Sequence, residues 1–240
     1  SETLNIDYRT PKTLKDNHVE YEFLKELNAD LAIVCAYGQI IPENFLNLTK
    51  KGFVNIHASI LPSWRGAAPI QRSIMNLDPE TGISIMKIKK ELDSGPVSNI
   101  YKIKIDQNQN AQEISEKLSA LAAEKILDNV DDILEDKAKF IDQDHSKATY
   151  AKKIDKEESR IDWDEDASKI IGKINGLFPS PGASFSFNGE RYKILKAEIG
   201  NGIGQVGEII SNQLEVACNK NQSIKILEIQ RQGKRPQKIS

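Results

Sequence analysis

The chain has 240 residues, 39% of them hydrophobic and 28% charged, and a formal net charge of −2. That length can bury one large core or two modest ones, and no apolar run approaches the ~20 residues of a membrane span. Two cysteines (Cys35 and Cys218) exclude a disulfide scaffold or a Cys-rich zinc module, and the scattered His18, His57 and His145 lack metal-ligand spacing. Both cysteines lie in apolar stretches and read as reduced, buried thiols of a cytoplasmic protein.

In chain order, a helix over 19–27 leads into the apolar run 31–36 (LAIVCA), which ends at Tyr37-Gly38 and reads as a buried parallel strand. A short helix at 42–48 precedes a second strand at 52–57 (GFVNIH). Residues 67–77 place Ile70, Ile74 and Leu77 on one helical face. Strands follow at 82–88 and, partly exposed, at 97–105. A long amphipathic helix spans 111–134, with Ile114, Leu118, Leu121, Leu127, Val130 and Leu134 assigned to its apolar side. This alternation predicts an α/β fold with a doubly wound, mostly parallel sheet. Beyond 136 the texture changes. A polar linker leads to a helix at 166–174, then to short strands at 183–187, 192–197, 206–210, 214–218 and 224–229, broken by Asn- and Gly-rich turns. That pattern predicts a small OB-like β-barrel. The expected division is 1–136, a linker at 137–154, and 155–240.

The net charge conceals an asymmetry. Residues 181–240 hold nine Lys/Arg against five Glu, or +4, while the rest holds 24 Lys/Arg against 30 Asp/Glu, or −6. A basic block on an acidic body is either a solvated surface or a polyanion contact.

The densest signal is N-I-H-A-S-I-L-P-S-W-R-G-A-A-P, residues 55–69. Asn55 and His57 stand two apart on a strand, so both side chains leave the same face. They lie at its C-terminal end, where open α/β sheets place ligands, and a Pro/Gly-rich loop follows. An amide and an imidazole there can act on one substrate atom, although polar residues at strand ends also serve as satisfied structural groups. L-D-S-G-P (92–96) reads equally as a turn and as a strand-end Asp93 within reach of His57, where it would hold the imidazole.

Together, N-I-H-A-S-I-L-P-x-x-R-G-A-A-P-I-Q, G-I-S-I-M and L-D-S-G closely resemble the formyltransferases that use 10-formyltetrahydrofolate. A-Y-G-Q-I-I-P and Y-A-K-K-I-D-K-E-E-S-R-I-D-W extend the match to nearly the whole chain. The G-A-A-P-I-Q and E-S-R-I-D-W segments resemble the branch that formylates methionyl-initiator tRNA. The resemblance implies a Rossmann-like catalytic domain and a C-terminal OB-like domain that contacts tRNA. By it, Asn55, His57 and Asp93 are the catalytic set. Tyr37, Gly38, Gln39, Ile41 and Pro42, with Ser59, Ile60, Leu61 and Pro62, would bind the folate. Arg65, Gly66, Lys220, Lys225, Arg231, Lys234 and Arg235 would bind the tRNA substrate. Ile60 stands where the family has Leu, and Ser180 stands between Pro179 and Pro181 where it has an aromatic.

The chemistry fits these residue types. A neutral amine attacks a formyl carbon, Asn55 and a protonated His57 stabilise the oxyanion, and Asp93 helps move the proton from the amine to the leaving nitrogen. No metal is needed. A monomeric cytoplasmic enzyme without membrane contact is expected. The alternatives are a sugar-nucleotide amine N-formyltransferase and an inactive folate- or RNA-binding fragment. The resemblance also implies a βαβ unit upstream of Ser1 and a short segment after 233–235. Neither is present, so the chain reads as an N-terminally incomplete form, with an open sheet edge and uncertain activity of its own.

Overall fold

A computed structural model describes residues 6–239. The ends of the expected domain ranges, at 1–5 and 240, lie outside the described residues. The first unit runs through α1 (His18–Glu26), β1 (Ala32–Cys35), α2 (Glu43–Leu46), β2 (Phe53–His57), β3 (Arg65–Gly66), α3 (Pro69–Met75), β4 (Glu80–Lys87), β5 (Val97–Lys104) and α4 (Ala111–Leu134). Its main sheet has the order β1-β2-β4-β5. β1 and β2 are parallel, but β4 is antiparallel to β2 and to β5. The α/β class stands, while the mostly parallel pairing expected from the alternation is corrected to a mixed sheet among the described residues. The reason lies between β2 and β4. A parallel crossover must return along the full strand length, whereas α3 has only seven residues and stays at the C-terminal end of β2.

α4 starts on a capping box, in which the Asn110 side chain accepts from the Glu113 amide and the Glu113 carboxylate accepts from the Asn110 amide. It buries Ala111, Ile114, Leu118, Ala122, Asn129 and Ile133. The expected stripe is therefore right in the first half and wrong in the second, where Leu127 is exposed and Asn129 is buried instead. Asn129 is satisfied inside: its amide donates to the Tyr101 hydroxyl and the Lys125 carbonyl. Among the described residues β1 has a partner only on its β2 side, and Ile33 and Cys35 are exposed. Cys35 is thus not the buried thiol expected from its apolar run, whereas Cys218 is buried; desolvation pushes that thiol up from its ordinary pKa.

After β6 (Tyr150–Ala151) in the intervening segment, the second unit contains α5 (Ala167–Leu177), β7 (Ser184–Phe187), β8 (Glu190–Ile199), β9 (Ile209–Ser211), β10 (Glu215–Cys218), β11 (Gln222–Arg231) and β12 (Gln237–Lys238). Its antiparallel sheet runs β7-β8-β11-β10-β9, with β12 beside β11. Among the described residues no β7–β9 pairing closes it, so the expected OB-like barrel is open. α5 packs against the sheet, burying Ile170, Ile174 and Leu177 with Ile194, Ile224 and Ile226. The other side of α5 meets α3. A Cβ on Gly176 would stand 2.6 Å from Met75 Cγ and 3.0 Å from the Gln71 carbonyl oxygen, so glycine permits this close crossing.

The intervening segment is not a free linker. β6 pairs in parallel with β3, matching Arg65 to Tyr150 and Gly66 to Ala151. Ile141 and Val97 exchange two backbone hydrogen bonds of 2.9 Å. The chain from 141 to 151 is therefore strapped across the two loops that follow β2 and β4.

Candidate active site

β2 delivers the site. Its period-two alternation sends Asn55 and His57 to one face, and the strand ends at His57. His57 is only 6% exposed at its side chain, and its Nε2 lies 3.0 Å from the Trp64 carbonyl oxygen. A carbonyl only accepts, so Nε2 carries a proton. Nδ1 faces Asp93 Oδ2 at 3.6 Å, longer than a direct hydrogen bond. That Oδ2 also accepts from the Gly66 amide at 2.9 Å. Asp93 sits in the left-handed region, φ +46°. Among the described residues no hydrogen bond engages the Asn55 carboxamide, which remains a donor for another molecule. Of the three expected catalytic residues, Asn55 and His57 thus share one face of β2, and Asp93 approaches His57.

The S-I-L-P turn is held from β4. Ser84 pairs opposite His57; its hydroxyl donates to the Ser59 carbonyl at 2.7 Å and accepts from the Leu61 amide at 3.0 Å. Ser59 donates through its own hydroxyl to the Ser63 carbonyl at 2.6 Å. Ser59 and Leu61 are buried, so they shape this turn from inside, while Ile60 and Pro62 are half-buried. Tyr37, Gly38 and Gln39 are exposed after β1, and Ile41 and Pro42 are half-buried. Since β1 and β2 are parallel neighbours, the 37–42 and 59–62 loops leave the same edge of the sheet.

Arg65, expected to touch substrate, lies inside the fold. It is 3% exposed; its Nε and Nη2 donate to Gln143 Oε1 at 3.1 and 2.7 Å, and Nη2 lies 3.2 Å from His145 Nδ1. The β3–β6 pairing draws it inward, where it braces the loop. Gly66 contributes its amide to Asp93.

The basic residues of the second unit do not form one cluster. Lys220 precedes β11 and pairs with Asp166 at 2.8 Å, and Lys225 is half-buried near the same end. Arg231 pairs with Glu190 at the far end, where exposed Lys234 and Arg235 follow in the next turn. Along β11 Lys225 and Arg231 are six residues apart, so about 20 Å of strand separates the two groups.

Gln143 and Thr149 carry no pattern in the sequence, while Trp64 and Ser84 lie inside the motifs at 55–69 and 82–86 without a role legible from them. Thr149 receives the Trp64 amide on its hydroxyl at 2.9 Å. The Trp64 ring donates to Asp78 at 2.7 Å. Among the described residues, no group of three His, Cys, Asp or Glu side chains is arranged to hold a metal ion.

Comparison with known proteins places the chain in a family. Residues 2–131 match the family model for formyl transferase, and residues 153–240 match that for the formyl transferase C-terminal domain. The chain is 65% identical over 240 residues to a methionyl-tRNA formyltransferase of Pelagibacter ubique, covering all of this chain and 77% of that protein. It is 40% identical over 235 residues to the enzyme of the same name from Bradyrhizobium diazoefficiens, covering 96% and 75%. Among solved structures, the methionyl-tRNA formyltransferase of Clostridium thermocellum superposes with a TM-score of 0.64 at 25% identity, over 78% of this chain and 80% of that one. HypX of Aquifex aeolicus, solved with tetrahydrofolic acid, gives a TM-score of 0.71 at 19% identity over 94% of this chain and 39% of that one, a likeness of fold. By both its sequence and its architecture, the chain belongs to the formyl transferase family.

Proposed function

We infer that the protein transfers the formyl group of 10-formyltetrahydrofolate to the amino group of methionyl-initiator tRNA. The observation that carries this is the sharing of one β2 face by Asn55 and His57, with Asp93 close to His57, in a chain 65% identical along its whole length to a methionyl-tRNA formyltransferase. The amine nitrogen bonds to the formyl carbon, the bond from that carbon to the folate nitrogen breaks, and one proton passes from the amine to the departing nitrogen. Asn55 points an unengaged amide at the oxygen that becomes negative. His57 adds a second donor through Nδ1 once both ring nitrogens are protonated, since the Trp64 carbonyl occupies Nε2. The 3.6 Å gap between Nδ1 and Asp93 leaves Asp93 able to take the proton from the amine directly or through a water. Preorganised donors of this kind are the larger part of such catalysis.

The folate is placed between loops 37–42 and 59–62, taken as the two walls of its cleft, with the exposed Tyr37 and the half-buried Ile41, Ile60 and Pro62 as its apolar contacts. The tRNA lies along the basic second unit. Arg231, Lys234 and Arg235 form one group of cations, Lys220 and Lys225 a separate one. The division 1–136, 137–154 and 155–240 assigns chemistry to the first part and tRNA to the last, with the protein acting as a cytoplasmic monomer.

The test is formyl transfer to methionyl-tRNA against an amino-sugar nucleotide, each with 10-formyltetrahydrofolate. Preference for the tRNA is expected. Asn55→Ala should lower kcat by about 10²–10³, the usual effect of losing one oxyanion donor. Turnover at the unsubstituted rate in that variant, or preference for the amino sugar, contradicts the reading.

A further inference from the structure

Gln143 lies in the segment between the two units, 50 residues after Asp93 in the chain, yet it is 8% exposed and in contact with the Asp93 loop. We propose that Gln143 is a positioning residue for catalysis, fixing the backbone that carries Asp93 and acting on formyl transfer only through that carboxylate. This rests on the reading of Asp93 as a catalytic residue.

Every hydrogen-bonding position of its carboxamide is used. Oε1 accepts from Arg65 Nε at 3.1 Å and Nη2 at 2.7 Å, and Nε2 donates to the Asp93 carbonyl at 2.9 Å and the Gly95 carbonyl at 2.7 Å. The guanidinium fork decides which end of the amide faces which way. With Oε1 turned to Arg65, both N–H groups must face the loop. A carboxamide is the only ordinary side-chain group that offers two acceptor sites on one side and two donors on the other.

The loop needs this hold. Asp93 has φ +46°, a conformation that persists only where its surroundings impose it. Gly95 lies so close to β4 that a Cβ there would collide with the Lys87 carbonyl oxygen. The Asp93 carboxylate accepts the Gly66 amide and stands 3.6 Å from His57, so its place depends on the backbone beneath it. The paired backbone bonds of Val97 and Ile141, two residues beyond Gly95 and two before Gln143, close the strap. Arg65 completes it from the loop after β2. One side chain thus ties the loop bearing Asp93 to the loop that follows His57. A displacement near 1 Å at a reacting group lowers rates by about 10²-fold.

The discriminating variant is Gln143→Glu, which keeps an acceptor for Arg65, now as an ion pair, and removes both donors to the Asp93 and Gly95 carbonyls. The expected result is a kcat lowered roughly 10- to 100-fold, KM for the folate and for methionyl-tRNA within about twofold, and an unfolding midpoint lowered by about 6–12 °C, since two carbonyls lose their donors, with rates compared well below that midpoint. The double variant Asp93→Ala/Gln143→Glu is expected to be no slower than Asp93→Ala alone, because a residue acting through Asp93 has nothing left to position. A merely structural role predicts losses that multiply. An unchanged kcat in Gln143→Glu, or multiplicative losses in the double variant, overturns the proposal while leaving the catalytic set intact. Full turnover in Asp93→Ala removes the catalytic reading and the proposal with it. Should Gln143→Glu fail to fold, Gln143→Asn carries the same test, since its shorter amide cannot span from Arg65 to both carbonyls.

Discussion

Ser84→Ala removes one oxygen from the interior and leaves two backbone groups without partners. The Ser84 hydroxyl is fully buried, donates to the Ser59 carbonyl at 2.7 Å and accepts the Leu61 amide at 3.0 Å. Ser59 is 0% and Leu61 4% exposed, so water does not replace the lost bonds where they stand. An unsatisfied buried group costs about 1–3 kcal/mol. Two such groups set a range of about 2–6 kcal/mol, and relaxation of the turn places the expected loss near 3 kcal/mol. For a chain of this size that is a midpoint lowered by about 6–12 °C. The turn it anchors is the 59–62 wall of the proposed folate cleft, so KM for 10-formyltetrahydrofolate should rise together with the loss of stability. Thermal and urea unfolding, followed by circular dichroism, measure the first effect, and initial rates at varied folate measure the second. A loss below about 1 kcal/mol with unchanged folate KM would show that the turn is held by something other than Ser84.

Arg72 of α3 ties the first unit to the following segment, donating to Glu158 at 2.5 and 2.9 Å and to the Lys152 and Lys153 carbonyls at 3.1 and 3.3 Å. The Arg72 hydrogen bond holds the Glu158 carboxyl below its ordinary range. Its contribution is therefore complete above the ordinary glutamate pKa of about 4.3 and disappears as the pH falls through the depressed value. Glu158→Gln should cost about 1 kcal/mol at neutral pH, the pair being partly exposed, and the difference from the unsubstituted protein should vanish in acid; a pH-independent difference in unfolding free energy refutes it. Gly176→Ala places a methyl against Met75 and the Gln71 carbonyl and should destabilise by about 1–3 kcal/mol, and an unchanged unfolding midpoint would mean that α3 and α5 separate without penalty. Lys234→Glu with Arg235→Glu should raise KM for methionyl-tRNA and flatten its salt dependence by roughly one to two logarithmic units of slope. Equal slopes with and without the substitutions would remove this turn from the tRNA surface.

The pair Asn55 and His57 was legible because strand periodicity is local: two residues apart means one face, wherever the strand ends up. Asp93 was legible as a turn residue with a functional alternative, and its approach to His57 had to await the sheet. Gln143 and Thr149 were illegible. They sit in a polar stretch without periodicity, and their roles arise from contacts with residues 48 to 85 positions away. The half-wrong stripe of α4 has a related cause. Leu127 was assigned by residue type, whereas the turn of the helix points Asn129 inward, and its partners Tyr101 and Asn99 belong to β5.

By itself the sequence determined the α/β-then-β order, the strand that carries the amide and imidazole, the turn chemistry after it and the family to which these motifs belong. The first three follow from spacing along the chain, and the family from the resemblance of the motifs. Only the tertiary structure decided the antiparallel return of β4, the exposure of Cys35, the open second sheet, the withdrawal of Arg65 from the surface and the strap from 141 to 151. Each depends on which strand becomes a neighbour and which carbonyl is left wanting a donor. Those are properties of segments far apart in the chain, set when backbone groups must be paired and apolar faces covered at the same time.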